Sequence, residues 1–426
     1  HFFSNSRINL NYEYFDSSIL EVQLQKSSDE SYLKAYEIQS PLISNNSTLN
    51  NSINFTGNWE RSNLNLSASL YEDTTVSIGS DKYEYVYPAY SYFNSFEKDI
   101  FGNLDFSIQS SGFQRQYDTN SYEGKIVNNF TINKDLYSNY GFKNEIIALF
   151  KNVNSQNKVA SQEEEKLKIL GETLLKSSLP LKKETKKYKS ILIPTLSLRY
   201  SPNKTANIAN EDKTIDTENI FTVNRVGSNE IVEGGQSITI GNEYKLFNLN
   251  NRQLFNLNLA TVLRDDINDD LPIKSSLNQK SSDLFGSAKI NFTDNFNLNY
   301  KFSLDNNYKD VNYNFIEAKF SINNFITSFE FLEESKIRGG TSYLSNKTEY
   351  KFDDENSIIF SARENKLKNL TEFYDLIYQY KNDCLTASLQ YKKEYYRDED
   401  LKPNESLFFN ITIVPFQNFQ SKNFKD

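Results

Sequence analysis

The segment RDDINDDLP, residues 264–272, sets three oxygen-bearing side chains at alternate positions: Asp266, Asn268 and Asp270. Calcium loops use that spacing, because a hard cation takes carboxylate and amide oxygens. The pattern then breaks. Leu271 stands where such a loop needs Gly for its turn, and Leu277 where it needs a bidentate Glu. The segment therefore reads as a solvated acidic loop. Carboxylates recur in other links, Asp398 and Asp400 among them, without the positioned partner that acid–base chemistry needs. The sequence holds one His, His1, and one Cys, Cys384, so it can assemble neither a Cys/His metal site nor a His-based triad. It has no nucleophile motif and no phosphate-cradling glycine loop. These residues predict a protein that is not an enzyme and uses no metal and no cofactor.

What the sequence repeats instead is a two-residue beat. In AKINFTDNFNLNYKFSL, residues 288–304, Ala288, Ile290 and Phe292 alternate with polar residues. After Thr293, Asp294 and Asn295 the beat resumes with Phe296, Leu298, Tyr300, Phe302 and Leu304. Alternate side chains of a strand point to opposite faces, so this is a hairpin with one apolar face and one face of Asn, Lys and Ser. The same beat runs through Ile8, Leu10, Tyr12 and Tyr14, through Leu64, Leu66, Ala68 and Leu70, and through Tyr374, Leu376, Tyr378 and Tyr380. It closes the chain with Leu407, Phe409, Ile411 and Ile413. Residues 161–181 have the Glu, Lys and Leu content of a helix. Yet Leu167, Ile169, Gly171, Thr173 and Leu175 share one parity, which predicts a strand from about Lys166, with a helix as the competing reading. The run KKETKK, residues 182–187, reads as a solvated turn.

The elements that carry this beat must be placed somewhere. The chain is 38% hydrophobic with a mean hydropathy of −0.64, and no apolar run reaches the roughly 18 residues of a membrane helix. A membrane barrel escapes that limit, since only every second residue must face lipid. The links sort by length. Short ones lie at residues 293–295, 323–324, 353–357 and 381–383, and long charged ones at 264–284 and 392–406. Outer-membrane barrels alternate short turns with long loops, whereas a soluble sandwich has no reason to. The expectation is an all-β, large antiparallel transmembrane barrel with roughly 21 strands present. An odd count, together with the absence of Met and of a signal peptide, suggests a piece of a longer precursor with strands missing upstream. The net charge of −9 and the lack of a basic stripe argue against nucleic acid as a partner. Cys384 follows the short 381–383 turn, out of phase with Leu385, Ala387 and Leu389, so it is expected to face inward near the periplasmic rim. It reads either as an unpaired small side chain or as half of a disulfide to a segment outside this sequence.

Several stretches, in order, resemble the C-terminal barrel region of the lipopolysaccharide-assembly protein family LptD. They are residues 25–36 (QKSSDESYLKAY), 104–126, 192–203 (LIPTLSLRYSPN), 219–244, 378–395 and the closing LFFNITIVPF. Within residues 219–244 the family's loop pattern falls on Asn224, Arg225, Gly227, Glu233 and Gly234, with Asn229 and Glu230 where an acidic–basic pair is common. The resemblance implies a barrel of about 26 strands. It implies a single barrel domain over residues 1–426, truncated at its N-terminus and without the family's periplasmic jellyroll. It further implies lipopolysaccharide as cargo, moved into the outer leaflet of the outer membrane through a lateral seam between first and last strands. An LptE-like lipoprotein plug, an LptA-like periplasmic bridge and the barrel-assembly machinery are the implied partners. Cys384 matches a family cysteine joined to the N-terminal domain, although relatives often carry an adjacent pair. Residues 407–414 are expected to form one wall of the seam, since Pro415 cannot donate to a strand ladder. With Phe416 they also look like the terminal signal for barrel assembly. Plain lipid-facing surface is the competing reading for Phe409, Ile411 and Ile413. The functional alternative is a diffusion porin or solute-receptor barrel, and beyond it a soluble all-β binding protein.

Overall fold

A computed structural model describes residues 1–29, 33, 47–76, 81–98, 104–159, 162–395 and 405–413. These residues form 22 strands of one antiparallel sheet. In chain order the first are β1 (Phe2–Asn9), β2 (Ser17–Lys26), β3 (Thr48–Trp59), β4 (Ser62–Asp73), β5 (Tyr83–Lys98), β6 (Leu104–Tyr117), β7 (Tyr122–Tyr137) and β8 (Lys143–Val159). Then come β9 (Gln162–Ser178), β10 (Leu181–Glu184), β11 (Tyr188–Ser201), β12 (Gly235–Asn248), β13 (Gln253–Arg264), β14 (Leu284–Thr293) and β15 (Phe296–Leu304). The last are β16 (Val311–Ile322), β17 (Phe325–Glu334), β18 (Ser342–Lys351), β19 (Asn356–Asn365), β20 (Leu370–Lys381), β21 (Leu385–Glu394) and β22 (Glu405–Ile413). Residues 162–178 are strand and not helix, so parity decides over composition there, and the strand begins about four residues earlier than expected. Both β9 and β10 pair with β11 and only Leu179 and Pro180 separate them, which reconciles 22 assigned strands with roughly 21 expected ribbons.

Two compact units divide the chain: residues 1–177, 197–207 and 222–237 in the first, and residues 178–196, 208–221 and 238–426 in the second. In the first, β1 to β8 pair successively as antiparallel neighbours. The exposed face is apolar, and the covered face mixes charged with apolar residues. On β8, Ile146 and Phe150 are 42% and 52% exposed, while Leu149, Lys151 and Val153 are buried. On β9, Leu167 and Ile169 are exposed, while Glu172 is buried. A stack of rings, Phe96 on Phe106 and Phe106 on Phe130, runs across β5, β6 and β7 on the exposed side.

In the second unit the 288–304 hairpin forms as expected. Thr293 pairs with Phe296, leaving Asp294 and Asn295 as the turn, and a register shift falls between Ile290 and Thr293. Phe296, Leu376 and Ile411 are exposed and Tyr300 is half-buried, so the alternating apolar residues line the outer face and not a dry interior. Asn323, with φ 48, makes the tight β16–β17 turn, a left-handed conformation that Asn tolerates. The run 182–187 is only partly a turn: Lys182–Glu184 belong to β10, where Lys182 pairs with Glu184. The 264–284 link also departs from the solvated loop expected of it. Leu271 and Leu277, the two residues that break the calcium pattern, are fully buried, and Ser275, Ser282 and Asp283 are buried with them. Burial of two apolar pegs outweighs the acidic composition, and the loop runs against residues 208–209, where the Asp270 carbonyl accepts from Ile208 N–H at 2.8 Å and Ile273 N–H donates to the Ala209 carbonyl at 3.0 Å. Asp266 stays at the surface, 3.5 Å from the Lys280 ammonium.

Candidate functional site

The segment carrying the loop pattern, residues 222–237, folds onto the covered face of β8, β9 and β11. Val226, Ile231 and Val232 are buried and anchor it. Gly227 has φ +64, a left-handed turn closed by its N–H on the Asn224 carbonyl at 3.1 Å. Gly234 answers a different need: a Cβ there would meet the Asn203 carbonyl and would stand 3.0 Å from the Thr205 nitrogen. Its own N–H donates to Thr205 Oγ1 at 2.8 Å.

Arg225 and Glu233 form the centre. Arg225 donates through Nε to Glu233 Oε2 at 2.6 Å and through Nη2 to Oε1 at 2.5 Å, and Nη2 also reaches Ser237 Oγ at 3.0 Å. Both side chains are out of solvent. Next to them Arg199 of β11 donates to Glu172 of β9 and to the carbonyls of Thr222 and Val223. Arg199 Nε lies 3.9 Å from Glu233, which links the two pairs into one cluster. Lys151 of β8 donates to the carbonyls of Ser228 and Ile231 at 3.1 and 3.2 Å. Three cations thus hold two carboxylates and four loop carbonyls. Isolated charges here would be unstable; paired and hydrogen-bonded, they lock the loop to the wall.

Beside the clamp lies a cavity of about 550 Å³ whose lining includes Glu84, Arg115, Phe113, Lys125 and Glu230. Lys125 pairs with Glu123 at 2.7 Å and with Glu230 at 2.8 Å, and Arg115 pairs with Glu84 at 2.8 Å. Phe113 lies under both cations, 5.1 Å from the Arg115 guanidinium carbon and 5.6 Å from the Lys125 ammonium. Each carboxylate of the clamp is engaged by a guanidinium, and Arg199 also holds loop carbonyls, an arrangement that fixes the backbone.

The sequence singled out Arg225, Gly227, Glu233 and Gly234, and the structure gathers them at this clamp. It did not nominate Glu172, Lys151 or Arg199. Arg199 was within reach: in LSLRYS, Leu196, Leu198 and Tyr200 face out and Ser197, Arg199 and Ser201 face in. The other sequence candidates lie elsewhere. Leu407, Phe409 and Ile411 are exposed on β22, whose Ile413 backbone pairs with Leu385. Pro415 and Phe416 fall outside the described residues. Cys384 sits exposed in the turn before β21, its N–H on Asn382 Oδ1 at 3.0 Å; it has no second Cys in this sequence to pair with.

A large antiparallel sheet with an apolar exposed face, a covered face that carries Lys151, Glu172 and Arg199 among apolar residues, and a charged loop folded against the latter defines an outer-membrane β-barrel protein. The chain belongs to the LptD family, LPS transport system D, whose family model matches residues 2–363. No curated protein matches it. Solved structures similar to it include the siderophore receptor PirA from Acinetobacter baumannii, at 8% identity and a TM-score of 0.41, covering 85% of this chain and 70% of that one. A ferric enterobactin receptor mutant (PfeA) from Pseudomonas aeruginosa, in complex with enterobactin, matches at 8% identity and a TM-score of 0.42, covering 97% and 73%. The ferric-catecholate import receptor Fiu from E. coli in its open form matches at 11% and 0.37, covering 88% and 75%.

Proposed function

We propose that this protein is the barrel of a translocon that inserts lipopolysaccharide into the outer leaflet of the outer membrane through a lateral seam. The membership of residues 2–363 in the LPS transport family carries this reading. The burial of the loop-pattern residues Arg225 and Glu233 supports it, because a clamped loop shapes a polar lumen suited to a charged headgroup. The cargo has a polar head and many acyl chains. A closed pore would immerse those chains in water, whereas a seam lets the head travel inside while the tails stay in lipid. Exposed Leu407, Phe409 and Ile411 make β22 a candidate wall of that seam. Ile413, Pro415 and Phe416 extend the same segment toward an assembly signal. An LptE-like plug, an LptA-like bridge and the barrel-assembly machinery are the partners this reading requires, and an oxidised Cys384 would need a cysteine from elsewhere. Depletion of the full-length protein tests it: surface lipopolysaccharide should fall. Unchanged surface lipopolysaccharide with impaired small-solute uptake would replace the translocon with a diffusion or receptor barrel.

A further inference from the structure

The exposed face of β6, β7 and β8 is not uniformly apolar. On β7, Ile126 is 43% exposed and Val127 buried, so Asn128 shares the outward parity of Ile126. On β8, Asn152 and Asn154 share the outward parity of Ile146 and Phe150. Register places Ser110 opposite Asn128 and Asn128 opposite Asn152. The side chains connect as a row. Tyr90 and Ser110 hydroxyls lie 3.2 Å apart, Ser110 donates to Asn128 at 2.7 Å, Asn128 to Asn152 at 3.2 Å, and Asn154 to Asn152 at 2.7 Å. Further toward the β6–β7 turn, Gln156 donates to the exposed carboxylates of Glu163 and Glu165 at 2.8 and 3.2 Å. Between row and turn lies an outward groove of about 690 Å³, where Gly112 and Gly124 present no side chain beside Ile126, Asn154 and Leu167.

The apolar part of this wall is short. On β8 the outward residues from 146 to 150 cover roughly 14 Å along the strand, and less along the membrane normal once tilted. On β7 the only residues of outward parity between Asn128 and Lys134 are Phe130 and Ile132. By contrast, outward Leu385 to Tyr391 of β21 cover roughly 20 Å. An outer-membrane barrel ordinarily shows a band about 25 Å tall. Hydrocarbon against this row would strip water from several amides and from carboxylates above them, whereas deforming the bilayer costs little per ångström.

We propose that lipid headgroups and their water descend along the outward wall of β6–β8 to the Ser110–Asn128–Asn152 row, thinning the bilayer at this side of the barrel. The proposal rests on the outer-membrane reading above. Spin labels test it in the full-length protein, freed of other reactive cysteines and reconstituted in phospholipid vesicles. Labels go at Asn128→Cys and Asn152→Cys, with Ala148→Cys and Leu376→Cys as apolar references. Relaxation by a water-soluble nickel chelate should exceed that by oxygen at positions 128 and 152, and the ratio should reverse at 148 and 376. Oxygen dominance at 128 and 152 overturns the thinning while leaving the barrel intact, and so does shielding from both reagents, which would mean a protein partner covers the row. Nickel dominance at 148 and 376 would remove the membrane wall itself, and the proposal with it.

Discussion

Arg225 and Glu233 stand eight residues apart in the chain and meet through two parallel hydrogen bonds, with both side chains buried. A pair of this kind is worth little against a well-packed apolar substitute, but removing one partner strands a buried charge at about 3–5 kcal/mol. Arg225→Ala and Glu233→Ala should each free residues 222–234 for proteolysis and lower the urea midpoint, whereas the double replacement by Met should cost less than either. Arg225→Lys should not restore the clamp, since an ammonium lacks the planar fork. Strictly additive single-mutant costs would show that the two residues do not act as a unit.

The two glycines of the same segment should separate by mechanism. Gly234→Ala drives a methyl into the backbone of Asn203 and Thr205, which cannot yield as a flexible side-chain tip would. Gly227→Ala meets nothing within 4 Å and faces only the cost of its φ of +64, about 1–2 kcal/mol. Proteolysis of the loop should therefore accelerate far more in Gly234→Ala. Equal rates would mean that the close approach at Gly234 is unimportant.

How much of this was readable beforehand follows from the range of the forces. Strand parity is local, so Leu167, Ile169 and Glu172 announce their faces within a few residues, and β9 is legible despite its helical composition. The fold of the loops is not local. Arg199 meets Glu172 across 27 positions and Lys151 meets Ile231 across 80, and no spacing rule links them. The 264–284 link misled in the other direction, because acidic residues dominate its composition while Leu271 and Leu277 decide its packing. Gly227 and Gly234 were visible as a pattern, but the separate reasons for each appear only with φ and the neighbouring backbone.

The β18–β19 turn should respond to acid. Asp353 accepts from the Asn356 side-chain amide at 2.8 Å and from the backbone N–H groups of Asn356 and Glu355 at 2.7 and 2.9 Å. These bonds favour the ionised form and hold its carboxyl below the ordinary range. A lowered folded-state pKa means that the stabilisation is fully present above the unfolded value of about 3.9 and is lost as pH falls through the lower folded value. Amide exchange at residues 355 and 356, corrected for intrinsic rate, should be protected at neutral pH and lose protection below that window. Asp353→Ala should abolish the difference; an unchanged pH profile in that variant would assign the effect elsewhere.

The exposed apolar face makes its sharpest demand at two adjacent residues of β21. Leu389 is 46% exposed, and Gln390 is buried with its amide 3.0 Å from both Asp375 oxygens. In a water-soluble sheet, Leu389→Arg would be near neutral and Gln390→Arg would be severe, since it would bury a charge. In a barrel wall the order reverses. Arg at 389 enters hydrocarbon at about 2–4 kcal/mol if the site lies near the midplane. Arg at 390 points into a polar interior, where the Asp375 carboxylate can receive it as a bidentate partner. The heat-modifiable gel shift and urea midpoint of the protein in vesicles should therefore fall in Leu389→Arg and stay close to the parent in Gln390→Arg. The opposite order would place the apolar face of β21 against water and return the chain to the soluble class.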